Sequence, residues 1–133
     1  MVALANALRK KHSSSYIVEE LYKKAKKIGK KCVIESLRTV GEVEKLREKN
    51  NFYLIAVDAK PRLRYERLVK RGSTTDNISY NEFLEQEKTE MSNKDPSKQN
   101  IAKCIEMVDY KVTNNETKKE LYEKVDKILK NLD

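Results

Sequence analysis

Apolar side chains recur along this chain in two rhythms, one suited to helices and one to buried strands. Spacings of three and four residues predict a helix over Val2 to Lys11, with Leu4 and Leu8 on one face, and a second over Tyr16 to Ile28 that buries Ile17, Leu21, Ala25 and Ile28. Ser13, Ser14 and Ser15 offer N-caps to the second helix, and Gly29 stops it. Short apolar runs at Cys32 to Glu35, Phe52 to Asp58 and Tyr110 to Thr113 predict strands. The middle run is nearly continuous, the pattern of a strand covered on both faces. Capping boxes at Thr39 to Glu42, Ser79 to Glu82 and Thr117 to Glu120 open three further helices. The first of these buries Val43 and Leu46, and the last buries Leu121, Val125, Ile128 and Leu132. Pro61 opens another helix that Gly72 ends, and Ile101, Cys104, Ile105 and Val108 form a helical stripe. Polar links at Ser73 to Asn77 and Ser92 to Asp95, the latter just before Pro96, separate the elements between them.

Strands alternating with helices predict an α/β fold, a three-layer α/β/α arrangement around a small parallel sheet of three strands. The 133 residues are expected to form a single domain. Lys and Arg number 29 against 21 Asp and Glu, a net charge of +8. The excess favours anionic partners, but acids are interspersed among the bases, which suits a local basic site better than a nucleic-acid coat. Cys32 and Cys104 have no metal-ligand or disulfide spacing, and a reducing, cytoplasmic setting is expected. No apolar run approaches a membrane span, and none resembles a signal peptide.

The candidate chemistry lies beyond the strands' carboxyl ends, where α/β folds bind ligands. Arg67 and Arg71 stand one turn apart on the helix after Asp58, with Arg62 and Arg64 expected to point elsewhere. A guanidinium is the side chain suited to gripping phosphate oxygens through two donors. Two readings stand here: a phosphate grip, or a solvated basic face with Arg67 or Arg71 paired to Glu66 or Glu85. Glu35 and Arg38 follow the first apolar run, either as ligands or as an ion pair that orders the loop. His12 and the serine cluster read as caps or exposed side chains.

The ESLRT segment around Glu35 and Arg38 resembles the Asp-Gly-Phe-Pro-Arg-Thr segment of P-loop nucleoside monophosphate kinases, and RLVKRG resembles the start of their mobile lid. The stretch DYKVTNNETKKELYEKV resembles the closing strand, Asn-rich turn and helix of dephospho-coenzyme A kinases. The resemblance covers nearly the whole chain, with an acceptor region over about residues 1–50 and a lid region over about 60–100. It implies that Arg38, with Arg9 beside it, holds the acceptor's phosphate, that Arg67 and Arg71 grip the transferring phosphates, and that Glu35 serves a metal shell or the acceptor hydroxyl. It further implies that Asn114 and Asn115 border the base. ATP and Mg2+ are the family's cofactors; the sequence leaves open what this chain takes by itself.

Three departures accompany the likeness. No GxxxxGK[ST] motif occurs, so the expectation is a truncated P-loop kinase-like fold, either a piece of a longer kinase or a variant that has lost ATP binding. Glu35 replaces the usual aspartate, and no proline precedes Arg38. The segment Ser73 to Gln99 contains no arginine, only Lys88, Lys94 and Lys98. The expected function is therefore a nucleotide-binding, kinase-like phosphotransferase domain that is catalytically incomplete alone, with no resident metal. The alternative is a noncatalytic module that binds an anion or nucleotide, or pairs with a protein partner or itself through an exposed sheet edge. Nucleic-acid binding is disfavoured.

Overall fold

The helices begin and end where local side chains dictate. In the computed structural model, which describes residues 2–72, 77–94 and 98–132, these residues form α1 (Val2–Lys11), α2 (Tyr16–Ile28), α3 (Val40–Arg47), β1 (Ile55–Asp58), α4 (Pro61–Arg71), α5 (Tyr80–Met91), α6 (Ile101–Glu106), β2 (Tyr110–Thr113) and α7 (Lys118–Asn131). All three capping boxes close. The Thr39 hydroxyl accepts the Glu42 amide while the Glu42 carboxylate accepts the Thr39 amide, and the same exchange joins Ser79 to Glu82 and Thr117 to Glu120. The Ser79 amide and hydroxyl hold the Glu82 carboxyl, and the Thr117 hydroxyl and amide the Glu120 carboxyl, below the usual range. Gly29 and Gly72 end α2 and α4 in the left-handed conformation, with φ of 67° and 65°. Ser15 takes the N-cap position of α2, but its hydroxyl donates to Glu19 instead of capping. Residues 73–76 of the first polar link, and Pro96, lie outside the described residues.

The chain divides into two compact units. The first, Met1–Tyr53 with Thr89–Met107, packs α2 against α1 and α3, and α3 against α6, around Val18, Val43, Leu46 and Cys104. Val43 and Leu46 are buried as the spacing predicts, whereas in α2 the buried residue is Val18, at 1% exposure, and Leu21 and Ile28 are exposed. The second unit, Leu54–Lys88 with Val108–Asp133, pairs β1 and β2 in parallel, with Ile55 beside Tyr110 and Asp58 beside Thr113. Asp109 locks the start of this ladder: its carboxylate accepts the Leu54 amide at 2.7 Å, and its own amide returns to the Leu54 carbonyl. Here α7 lies against β2, and Tyr65, Tyr80 and Phe83 form an aromatic cluster between α4 and the start of α5.

The class is as expected, α/β with a small parallel sheet, but the described residues hold two strands where the sequence predicts three. Cys32 to Glu35 has no regular secondary structure and no ladder partner, and Val33 is 93% exposed. A strand is defined by its neighbour, and an apolar tetrapeptide does not supply one. Likewise β1 begins at Ile55, not Phe52, and Val57 is 57% exposed, so the strand is not covered on both faces. The stripe helix ends at Glu106, leaving Val108 beyond it, and the inner face of α7 is half-buried. None of the described helices is long and apolar enough to cross a membrane.

Candidate functional site

Helix α4 carries most of the predicted cations, and its geometry sorts them. Arg64, Arg67, Leu68 and Arg71 recur at i, i+3, i+4 and i+7 and line one cavity of about 330 Å3. Arg64, expected to face elsewhere, thus belongs with Arg67 and Arg71, and its i, i+3 spacing to Arg67 was the sequence signal for it. Arg62 does leave this face: it pairs with Glu66 and lies over the Tyr80 ring. With Glu66 so engaged, the cation expected of it at Arg67 is met elsewhere, because Arg67 Nη1 donates to the Asn114 carbonyl at 2.7 Å.

The Asn turn is tied to the same end of β1. The Asn114 amide donates to the Asp58 carbonyl, and Asn115 Oδ1 accepts the Lys60 amide, both at modest distances of 2.7 and 2.8 Å. The structure therefore brings Arg67, Asn114 and Asn115 together, with Asn115 at the β1–α4 junction, while Arg71, at the far end of α4, shares only the cavity with Arg67.

Counting donors separates the arginines further. Arg64 is spent: Nε and Nη2 grip both oxygens of Glu87 at 2.7 and 2.6 Å, and Nη1 reaches Asp58 at 2.8 Å and the Ala59 carbonyl. The bidentate Glu87 contact also raises its pKa. Arg67 uses Nη1 alone among the described residues, leaving Nε and Nη2, the edge that matches two phosphate oxygens.

In the first unit, Arg38 has the same pattern. Its Nη1 donates to Glu90 at 3.2 Å and to Gln99 at 3.4 Å, while Nε and Nη2 engage none of the described residues. Arg9 is the opposite case, buried with its Nε and Nη2 on Glu42 and its Nη1 on Asn6. Glu35 is exposed in the irregular segment before α3 and makes no ion pair with Arg38, which takes Glu90 instead. Ser36, next to it, has a φ of 67°. Among the described residues no three His, Cys, Asp or Glu side chains converge as metal ligands, so the Mg2+ implied by the resemblance has no protein cage there. Burial, reinforced by the Glu42 charge, pushes the Cys104 thiol up to about 11, which leaves it a packing group and not a nucleophile.

No family model matches the chain. Curated relatives do. It is 31% identical to a UPF0200 protein of Pyrococcus horikoshii over 73% of its own length and 50% of that protein's. It is 30% identical to one of Sulfurisphaera tokodaii, over 86% of this chain and 67% of the relative. A UPF0200 protein of Pyrobaculum aerophilum is 33% identical over 94% of this chain and 69% of the relative. The chain thus spans between half and about two thirds of the relatives it matches, and over that span it belongs to the UPF0200 family.

Proposed function

We propose that the chain is the nucleotide-binding part of a nucleoside or nucleotide kinase-like phosphotransferase, both units forming one kinase-like domain. The observation that carries this reading is Arg67: its guanidinium is anchored to the Asn114 carbonyl by one nitrogen and its two-nitrogen edge engages none of the described residues, in a cavity lined by two further arginines. Such an edge is matched to phosphate oxygens, and the Asn turn beside it is where the resemblance sets the base. Support also comes from Ser36. Its left-handed backbone falls where the Asp-Gly-Phe-Pro-Arg-Thr segment has glycine, the residue that takes this conformation without penalty. Arg38 then holds the acceptor's phosphate, Arg67 and Arg71 the transferring ones, and Glu35 the acceptor hydroxyl or the metal's water shell.

Phosphoryl transfer is catalysed by positioning and charge neutralisation. These 133 residues supply arginines but no glycine-rich cradle with its lysine, so they bind without completing the reaction. The second reading, a noncatalytic anion-binding or partner-pairing module, is favoured by the ladder: among the described residues β1 and β2 pair only with each other, which leaves each strand an outer edge.

Calorimetric titration with nucleoside mono- and triphosphates tests the proposal. Arg67→Met is expected to weaken triphosphate binding roughly tenfold or more, and Arg38→Met to weaken monophosphate binding similarly, the effect of losing a charge-assisted pair of hydrogen bonds. Affinity unchanged in both variants sinks the site. Loss in Arg38→Met alone selects the noncatalytic module, and phosphorylation of any nucleotide by this chain by itself overturns its incompleteness.

A further inference from the structure

The resemblance implies direct contact between Arg9 and a phosphate, but the donors of Arg9 are already used. Nε and Nη2 reach Glu42 Oε1 at 3.0 and 2.9 Å, and Nη1 reaches Asn6 at 3.3 Å, with the residue 7% exposed. The other oxygen of Glu42 faces a different task. Oε2 accepts the backbone amides of Arg38 at 3.0 Å and Thr39 at 3.1 Å. Glu42 is buried, where an acidic side chain is tolerated only if it is paired and hydrogen-bonded, and Arg9 is the cation against it. On the far side of the same loop, the Asn100 amide holds the Arg38 carbonyl at 2.8 Å. The segment bearing Arg38 is therefore clamped at both backbone polar groups, and one of the two clamps is charged and depends on Arg9.

We propose that Arg9 is a positioning residue: through Glu42 it fixes the backbone from which Arg38 offers to a phosphate the Nε and Nη2 that engage none of the described residues. The phosphate part rests on the reading of Arg38 given above; the backbone part does not. Arg9 acts on the ligand at one remove, across a contact that spans 33 residues of sequence.

The test combines amide hydrogen exchange, followed by NMR, with titration of inorganic phosphate. Arg9→Lys keeps the charge but cannot donate through two fixed nitrogens, and Glu42→Gln keeps the shape but has a single accepting oxygen to serve both sides. In Arg9→Lys the Arg38 and Thr39 amides are expected to exchange roughly tenfold faster while those of α6 are unchanged, and phosphate affinity is expected to fall about fivefold or more, as for other supporting contacts around a binding group. The affinity loss should vanish when Arg9→Lys is combined with Arg38→Met. Unchanged amide exchange overturns the proposal, as does an affinity loss that persists in the Arg38→Met background. Phosphate binding indifferent to Arg38→Met in the otherwise native chain counts against the phosphate reading alone, and amide exchange then decides the backbone clamp. If Arg9→Lys does not fold, Glu42→Gln is used in the same cycle, and failure of both to fold replaces positioning with a purely structural role.

Discussion

Ser36 has a φ of 67°, a backbone region in which a β-carbon crowds the following carbonyl. The conformation turns the chain between the exposed Glu35 and the clamped Arg38, so the cost is paid where a candidate ligand is placed. Ser36→Gly should relieve it. Removing about 1–2 kcal/mol of crowding, offset by up to about 1 kcal/mol from the freer unfolded glycine, predicts a net gain of roughly 0.5–1 kcal/mol. A urea midpoint that rises checks this, and one that stays or falls shows that Ser36 makes compensating contacts. None of this was legible from the sequence, because serine is an unremarkable residue in ESLRT and only its backbone angle marks it. Arg9 was illegible for a different reason: its partner Glu42 lies far along the chain and reads locally as a capping-box residue and nothing more.

At the scale of elements, Gly41 brings α3 close against the segment before α2. It lies inside α3, where alanine is the better helix former by about 1 kcal/mol. Yet a β-carbon there would overlap Ser14 Oγ and lie 3.0 Å from Ser14 Cβ, so the segment before α2 would have to move. Gly41→Ala is therefore expected to destabilise by about 1–3 kcal/mol despite its helix propensity. Adding Ser14→Gly should recover most of that loss. Chemical denaturation of the single and double variants checks it, and stabilisation by Gly41→Ala alone would mean the two segments do not approach so closely. Local signals of this kind were read correctly where they are self-contained: each capping box closes within four residues, and Gly29 and Gly72 end their helices in place. The strand at Cys32 to Glu35 failed because pairing is a property of two segments, whereas the face of Arg64 was legible in its i, i+3 and i+7 spacing to Arg67 and Arg71.

Across the whole molecule, a net charge of +8 attracts anions without selecting among them. Selection rests on which guanidinium nitrogens the fold has already engaged. Dicarbonyl reagents such as phenylglyoxal close a ring across the two Nη nitrogens of one guanidinium, so they attack fastest where those nitrogens are least engaged. Arg67 and Arg38, each held by Nη1 alone, should be modified early, and inorganic phosphate should slow both. Arg64 and Arg9, held through all three nitrogens, should resist. Mass mapping of partially modified protein gives the order, and equal rates at Arg64 and Arg67 would contradict it. Two arginines one turn apart on α4, written with the same letter and lining the same cavity, would then be one mortar and one open hand.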